Sequence, residues 1–217
     1  MTRSPRFPLE TFAVDHKDFS DTIAFDDHKI AFTVGHCSGR SVLDIGCVNH
    51  KPQNYKSRDW VHKAITAVCK DVVGLDDSTE GVSYLTSLGY NIVAADAQNF
   101  NLGRRFEVIV AGDLIEHLVN FDGFLRSCLQ HLEPHGRLLL SSPNPWYWKN
   151  TARAMLYPEV KNNIEHTCWL CPRTMRQLLA RYGMEVEEIR FGSRYRRDRL
   201  MPLPPADRQA SGPNPLK

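Results

Sequence analysis

The sequence has few of the features that mark a secreted, membrane-spanning or polycationic protein. Its 217 residues include only six cysteines, too few for a disulfide scaffold. It has no run of 18 apolar residues, which excludes a membrane span, and its N-terminal residues lack the apolar core of a signal peptide. A net charge of +2 excludes a nucleic-acid-binding polycation. We therefore expect a cytoplasmic protein with free thiols and no membrane partner.

The sequence does contain a regular alternation of short apolar runs and amphipathic segments. Five buried strands are predicted, at 41–46, 71–76, 91–96, 106–112 and 137–142. Helices are predicted at 26–36, 59–70, 78–89, 121–132 and 172–183, and a half-exposed strand at 184–191. This alternation predicts an α/β fold, with a doubly wound, mostly parallel sheet and helices on both faces. Ligands of such folds bind at the edge where the carboxyl ends of the strands meet.

Composition predicts three regions along the chain. Residues 36–192 contain most of the alternating pattern and are expected to form the main domain. Residues 1–35 precede the sheet, and we expect them to form a helical cap over the substrate side. Residues 193–217 begin with RYRRDR after a serine and contain five prolines, which predicts a basic, disordered tail.

Acidic side chains follow four of the predicted strands, at Asp44, Asp76, Asp96 and Asp113. A carboxylate after the second strand suits two vicinal ribose hydroxyls, because each of its oxygens can accept a hydrogen bond. Acids after the first and third strands suit an ammonium group and an exocyclic amine. No loop has the glycine pattern that cradles a pyrophosphate. The implied ligand therefore has a ribose and amino groups but no phosphates.

Five segments, in order, resemble motifs of the class I S-adenosylmethionine-dependent methyltransferases, and in particular type 11/12-like methyltransferase domains. They are VLDIGC, VVGLDDS, AADAQNF, FEVIVAGDLIEHL and GRLLLSSPNP. The resemblance covers about residues 42–189 and implies S-adenosylmethionine as the cofactor. It implies that the methionine part lies near Asp44 and Gly46, the ribose on Asp76 and the adenine beside Asp96. The implied cofactor-binding residues are Asp44, Gly46, Cys47, Asp76, Asp96, Ala97 and Gly112.

The first loop departs from the pattern of this family. The family reads D-x-G-x-G-x-G, whereas residues 44–50 read DIGCVNH, so that Val48 and His50 replace two expected glycines. The connection from Asp44 to Asp76 is also longer than usual, and we expect its extra residues, about KPQNYKSRDW, to form an elaborated loop above the cofactor. Because glycine lets a backbone approach a ligand closely, a cofactor-binding module without catalysis stays open as an alternative. We interpret four scattered histidines as surface or loop residues: His28, His36, His50 and His62.

A second pattern resembles the metal sites of two methyltransferase groups. Asp113, Glu116 and His117 follow the fourth strand as D-L-I-E-H, and His166 lies shortly before the last helix. Ubiquinone-pathway O-methyltransferases and small-RNA 2′-O-methyltransferases carry a similar E-x-x-E-H. In a helix, offsets of three and four would place the first three side chains on one face. The resemblance implies a divalent-metal site formed by Asp113, Glu116, His117 and His166. Without a metal, His166 or His117 is the expected general base.

These observations predict S-adenosylmethionine-dependent O-methylation of a small-molecule acceptor, with or without a metal. An RNA 2′-O-methyltransferase is the main alternative. It is supported by the metal pattern and by arginines at 190, 194, 196, 197 and 199, but the sequence has no recognisable RNA-binding module. Trp146, Tyr147 and Trp148 follow the fifth strand and are expected either to wall the acceptor pocket or to form a lid on the sheet. The sequence does not indicate an oligomeric state.

Overall fold

Strands and helices alternate along the chain, as the sequence predicts. The computed structural model describes residues 23–26, 29–48, 52–57, 60–156 and 163–192. The strands are β1 (Ile23–Asp26), β2 (Ser41–Ile45), β3 (Asp71–Asp76), β4 (Ile92–Ala94), β5 (Phe106–Gly112), β6 (Leu132–Ser141) and β7 (Ile189–Gly192). The helices are α1 (Lys29–Cys37), α2 (Val61–Thr66), α3 (Thr79–Ser87), α4 (Phe121–His131), α5 (Trp148–Leu156) and α6 (Pro172–Ala180). Short 3-10 helices span Pro52–Lys56 and Ile115–His117.

The main sheet has five parallel strands in the order β4-β3-β2-β5-β6. The central strand is β2, which pairs with β3 on one side and with β5 on the other. Parallel neighbours require helical crossovers, and the intervening helices supply them. This arrangement confirms the predicted α/β fold with a parallel sheet. β1 and β7 form a separate parallel pair, in which Ile23 lies opposite Ile189.

Helices cover both faces of the sheet because successive strand residues point to opposite sides. On one face, Leu43 and Ile45 of β2 pack in a core with the buried residues of α4 and α6. On the other face, Val42 packs with Cys37 of α1 and Ile65 of α2. A strand buried on both sides reads as a continuous apolar run, which is why β2 and β5 could be located from the sequence.

Two segments differ from the predicted elements. The alternating segment 184–191 forms a strand only from Ile189 onward, and that strand pairs with β1 rather than with the main sheet. α5 was not predicted, since a proline and two aromatic residues precede it and suggest a loop. In both cases the secondary structure depends on contacts that the hydrophobic periodicity of the sequence does not reveal.

The predicted division into three regions is only partly within the described residues. α1 packs against α2 and β5, so residues 29–37 lie in the helical layer on the sheet, and the division into three regions stays a prediction. Most of the predicted cap and the whole predicted tail lie outside the described residues. None of the helices in the described ranges is both long and apolar enough to cross a bilayer.

Two glycines make room for the loop that follows β2. A Cβ atom on Gly74 would lie 2.7 Å from Cys47 Sγ, and one on Gly81 would lie 2.3 Å from Val48 Cγ1. Cys47 and Val48 are both buried in a cluster that includes Trp60. Val48 stands where the family pattern has a glycine, and its side chain is accommodated because α3 has a glycine opposite it.

This packing predicts the effect of a Gly81→Ala substitution. The added methyl group would overlap Val48 Cγ1, so the free energy of unfolding in urea should fall by about 1–3 kcal/mol, the usual cost of overpacking. Val48→Ala removes the overlapping methyl group, and the double variant should be more stable than the two single losses added together.

Gly35→Ala is the matched control, because a Cβ atom at Gly35 meets nothing within 4 Å. It should leave stability unchanged or raise it, as alanine does in helices. A Gly81→Ala variant as stable as Gly35→Ala would contradict the close packing of Val48 on α3.

Candidate active site

The carboxyl ends of β2, β3 and β5 bring the predicted cofactor residues to one edge of the sheet. Ile45, the last residue of β2, lies between Leu75 on β3 and Ala111 on β5. The residues that follow these three are Gly46, Asp76 and Gly112. They are therefore neighbours across the carboxyl edge of the sheet. Gly46 has φ +77°, a left-handed conformation that favours glycine, and its N–H donates to the Leu75 carbonyl at 2.7 Å.

Asp76 is held by two backbone donors. The Val48 N–H donates to Asp76 Oδ2 at 2.8 Å, and the Ser78 N–H donates to Asp76 Oδ1 at 3.0 Å. Burial raises the pKa of Asp76 above its ordinary value. A carboxylate oxygen can accept about two hydrogen bonds, so each oxygen keeps capacity for one further donor. The arrangement suits a ligand that presents two hydroxyl groups.

The other predicted cofactor residues lie around the same edge with different exposure. Asp96 and Ala97 follow β4, and Asp96 Oδ1 accepts the Gln98 N–H at 2.8 Å. Ala97 is buried, whereas Asp96 is exposed to solvent. Cys47 is buried, and burial raises the pKa of its thiol, so it is not a reactive thiolate. Whether these residues bind a cofactor stays a prediction.

Asp44 lies at the end of β2, but its carboxylate faces a buried histidine. Asp44 Oδ2 lies 2.9 Å from His62 Nδ1, and the side chains are 6% and 1% exposed. The interpretation of His62 as a surface or loop residue is therefore wrong. α2 places His62 and Ile65 on one buried face, at the helical offset of three. That offset from an apolar residue was the available signal, and the sequence analysis missed it.

The structure does not bring Asp113 into one cluster with the other three predicted metal ligands, although its charge acts to raise the pKa of both Glu116 and His166. The segment after β5 is not an α-helix, because Asp113 has φ +51° and only Ile115–His117 form a single 3-10 turn. The helical offsets that should align Asp113 with Glu116 therefore do not apply. Asp113 instead pairs with Lys29 Nζ at 2.6 Å and accepts the Ser141 hydroxyl at 2.9 Å. Lys29 lies 84 residues earlier, and no sequence signal pointed to it.

The other three predicted ligands do converge. Glu116, His117 and His166 each offer one ligand atom, and these atoms lie within 4.8 Å of one another. The two imidazole rings meet edge to face, with centroids 4.7 Å apart. We call these three residues the Glu–His–His cluster. The predicted convergence of His117 and His166 over nearly 50 residues is thus seen in the fold.

Glu116 is the unusual member of the Glu–His–His cluster. Its side chain is 1% exposed, and neither carboxylate oxygen makes a hydrogen bond of normal geometry among the described residues, although the Ser142 hydroxyl and the Glu116 N–H are near enough to favour its ionised form. Burial raises the pKa of Glu116 to about 7, and the nearby Asp113 charge acts in the same direction. Burial and the neighbouring His117 lower the pKa of His166. A buried carboxylate without partners is costly and therefore points to a missing ligand or proton.

Thr167 fixes the loop that carries His166. Its N–H donates to the Glu116 carbonyl at 2.8 Å, and its hydroxyl lies 2.7 Å from the Leu118 carbonyl and 3.1 Å from that of Glu116. These contacts join residues 163–171, which form no helix or strand, to the turn at Ile115–His117. Thr167 could not be identified from the sequence, because a single threonine beside a histidine carries no signal of such a contact.

The two tryptophans after β6 are largely exposed. Trp146 is 70% exposed and Trp148 is 48% exposed, whereas Tyr147 between them is partly buried. Trp169, in the loop next to His166, is 41% exposed. The exposure of the tryptophans disfavours a lid packed on the sheet, and a wall beside the acceptor site stays a prediction.

A comparison with known proteins identifies the family. A family model described as a methyltransferase domain matches residues 20–189. A probable S-adenosylmethionine-dependent methyltransferase of Mycolicibacterium smegmatis is 27% identical over 174 residues, which are 76% of this chain and 60% of that protein. The ubiquinone biosynthesis O-methyltransferase of Bradyrhizobium diazoefficiens is 24% identical over 127 residues, which are 56% of this chain and 46% of that protein. The chain thus spans about half the length of these relatives.

Solved structures show the same fold. A putative methyltransferase from Bacillus halodurans matches with a TM-score of 0.54 and 20% identity, over 75% of this chain and 70% of that one. The YcgJ protein of Bacillus subtilis matches with a TM-score of 0.52 and 16% identity, over 72% and 68%. The fold is therefore that of the Rossmann-like class I methyltransferases. With the family match, the chain belongs to the methyltransferase-domain family, whose class uses S-adenosylmethionine, and the predicted recognition is confirmed.

The unpaired Glu116 predicts how stability depends on pH in chelator-treated protein. Folding raises the pKa of Glu116 from 4.5 to about 7, so the folded state disfavours its ionised form. Its contribution to stability is complete below pH 4.5 and is lost as pH rises through about 7. Between pH 5.5 and 8 the protein should lose about 2 kcal/mol that a Glu116→Gln variant does not lose. Urea unfolding at the two pH values measures this difference.

Glu165→Gln is the control for this experiment, because Glu165 is close to His117 but its side chain is 64% exposed. It should show the same pH dependence as the unmodified protein. A Glu116→Gln variant that also follows the unmodified protein would mean that Glu116 titrates at its ordinary pKa.

Proposed function

We propose that the chain transfers the methyl group of S-adenosylmethionine to an oxygen atom of a small-molecule acceptor, beside the Glu–His–His cluster. The observation that carries this proposal is the buried Glu116 carboxylate, which has no hydrogen-bond partner yet lies against two imidazoles. Such a group costs folding free energy, so its presence at the ligand-binding edge of the sheet favours a functional role. The named O-methyltransferase relative supports the choice of oxygen.

The residues of the Glu–His–His cluster fit a divalent cation. One carboxylate and two imidazoles are a donor set that suits Mn²⁺, Fe²⁺ or Zn²⁺ better than Mg²⁺. A cation would compensate the charge of Glu116, which the Ser142 hydroxyl and the Lys29 charge offset only in part. When bound, it would lower the pKa of an acceptor hydroxyl and so favour the nucleophilic oxygen. Asp113 is not part of this set, because it pairs with Lys29.

Without a metal, one of the two imidazoles can accept the proton of the acceptor, because its lone pair is then not used as a ligand. Burial and His117 lower the pKa of His166, so its ring is neutral near pH 7 and can accept a proton. In the transfer, the acceptor oxygen forms a bond to the methyl carbon while the carbon–sulfur bond breaks. The sulfur keeps the electron pair and becomes that of S-adenosylhomocysteine, and the acceptor proton goes to His166 or His117.

No observation in the described residues favours RNA as the acceptor. Arg190 lies 2.6 Å from Glu188 through its Nε atom, and it stacks on the Phe32 ring at 4.6 Å. The remaining arginines of the predicted basic stretch lie outside the described residues. We therefore keep a small molecule as the proposed acceptor, with Trp146 and Trp169 as candidate walls. A cytoplasmic location stays a prediction.

Metal binding tests the proposed role of the Glu–His–His cluster as a divalent-cation site. Chelator-treated protein should bind Mn²⁺, measured by equilibrium dialysis, and Glu116→Gln, His117→Ala and His166→Ala should each weaken binding by at least about tenfold, since even outer-shell changes have effects of that size. Chelation should also abolish release of S-adenosylhomocysteine in a panel of acceptors with vicinal hydroxyls, and Mn²⁺ should restore it.

Asp113→Asn provides the matched control for metal binding. Because Asp113 contacts Lys29 and Ser141, this variant should keep its affinity for Mn²⁺. If Asp113→Asn loses as much affinity as His166→Ala, the assigned ligand set is wrong. Protein that binds no Mn²⁺ but releases S-adenosylhomocysteine would contradict the metal and leave His166 or His117 as the base.

A further inference from the structure

We infer that Trp60 is a positioning residue for the cofactor, because its indole N–H orients the peptide between Cys47 and Val48 and, through it, the Asp76 carboxylate. This inference rests on the proposed function, which uses S-adenosylmethionine, and on the prediction from the family resemblance that Asp76 receives the ribose hydroxyls of that cofactor. Trp60 itself is 3% exposed and has no need to contact the cofactor.

The peptide between Cys47 and Val48 is held at both ends. Trp60 Nε1–H donates to the Cys47 carbonyl at 2.7 Å. The Val48 N–H donates to Asp76 Oδ2 at 2.8 Å. The carbonyl and the N–H belong to one planar unit, so a rotation of this peptide would disturb both hydrogen bonds at once. The indole therefore fixes the direction from which Asp76 Oδ2 receives its donor.

Trp60 is itself fixed by packing. Its ring lies 4.9 Å from the Tyr90 ring and 5.4 Å from the His62 ring, measured between centroids. His62 in turn contacts Asp44 of β2. An indole that is buried among rings on several sides has few alternative rotamers, so its N–H is a preorganised donor. The hydrogen bond to Cys47 is buried, which makes its loss costly.

The position of Trp60 in the chain explains the longer connection between β2 and β3. Trp60 is the last of the extra residues of that connection, KPQNYKSRDW, and directly precedes α2. The loop it contacts has lost an expected glycine at Val48, whose side chain packs against Gly81. The additional residues thus supply a side-chain donor to a loop whose backbone has less freedom than the family pattern allows.

The test compares S-adenosylhomocysteine binding by calorimetry in the full chain. Trp60→Phe keeps an aromatic ring but removes the donor, and should weaken binding by about 3–10-fold, the effect of one hydrogen bond. Asp76→Asn should weaken binding further. Adding Trp60→Phe to Asp76→Asn should produce no additional loss, because the indole acts through Asp76. Tyr90→Phe, which keeps the neighbouring ring, should bind normally.

A role in fold stability alone would give a different result. An analogue of S-adenosylhomocysteine without the two ribose hydroxyls should bind equally well to Trp60→Phe and to the unmodified protein. An equal loss for both ligands, or a loss that adds to that of Asp76→Asn, would overturn the inference. If Trp60→Phe does not fold, 3-benzothienylalanine at position 60 keeps the shape and removes only the N–H, and the same outcomes apply.

The Asp76→Asn variant distinguishes a failure of the predicted ribose site from a failure of the proposed role of Trp60. If this variant binds S-adenosylhomocysteine as tightly as the unmodified protein, the ribose site and the proposed function at Asp76 are wrong. If Asp76→Asn weakens binding and the loss of the indole N–H does not, the inference about Trp60 alone is wrong.

Discussion

The pairing of β2 with β3 on one side and β5 on the other is the constraint on which the rest of the structure depends. This pairing places Ile45 between Leu75 and Ala111. The loops that follow the three strands consequently begin side by side at the carboxyl edge of the sheet. The loop after β3 carries Asp76, on the side proposed for the cofactor, and the turn after β5 carries Glu116, on the side proposed for the acceptor. A change of register would separate the two sides.

Two buried carboxylates near this edge have opposite surroundings, and the contrast indicates where a ligand is needed. Asp44 faces His62, so its charge has a partner within the protein. Glu116 makes no hydrogen bond of normal geometry with its carboxylate oxygens, and the Ser142 hydroxyl and the Lys29 charge offset its burial only in part. Unpaired buried charges are tolerated where a proton, cation or substrate completes them. The folding cost at Glu116 is therefore the physical basis of the proposed function.

The sequence predicted the parts of the molecule that depend on local pattern. The strands around Val42, Val73 and Val108 are apolar on both faces, and their carboxyl ends carry the acidic residues that suggested the ligand. Contacts between distant segments were not predictable in this way. Asp113 lies outside the Glu–His–His cluster because its backbone is left-handed and its side chain pairs with Lys29. His62 is buried because β2 presents Asp44 to α2. No periodicity records such pairings.

Anomalous diffraction from a crystal of the chain grown with S-adenosylhomocysteine and Mn²⁺ tests the central claim most directly. The account predicts a manganese peak within ligand distance of Glu116, His117 and His166, which is about 2.0–2.2 Å for oxygen and nitrogen donors of related metals. It also predicts that the ribose hydroxyls contact Asp76 in the same crystal. A manganese peak at Asp113 instead would contradict the assigned acceptor side after β5. A ribose away from Asp76 would contradict the assigned cofactor side after β3.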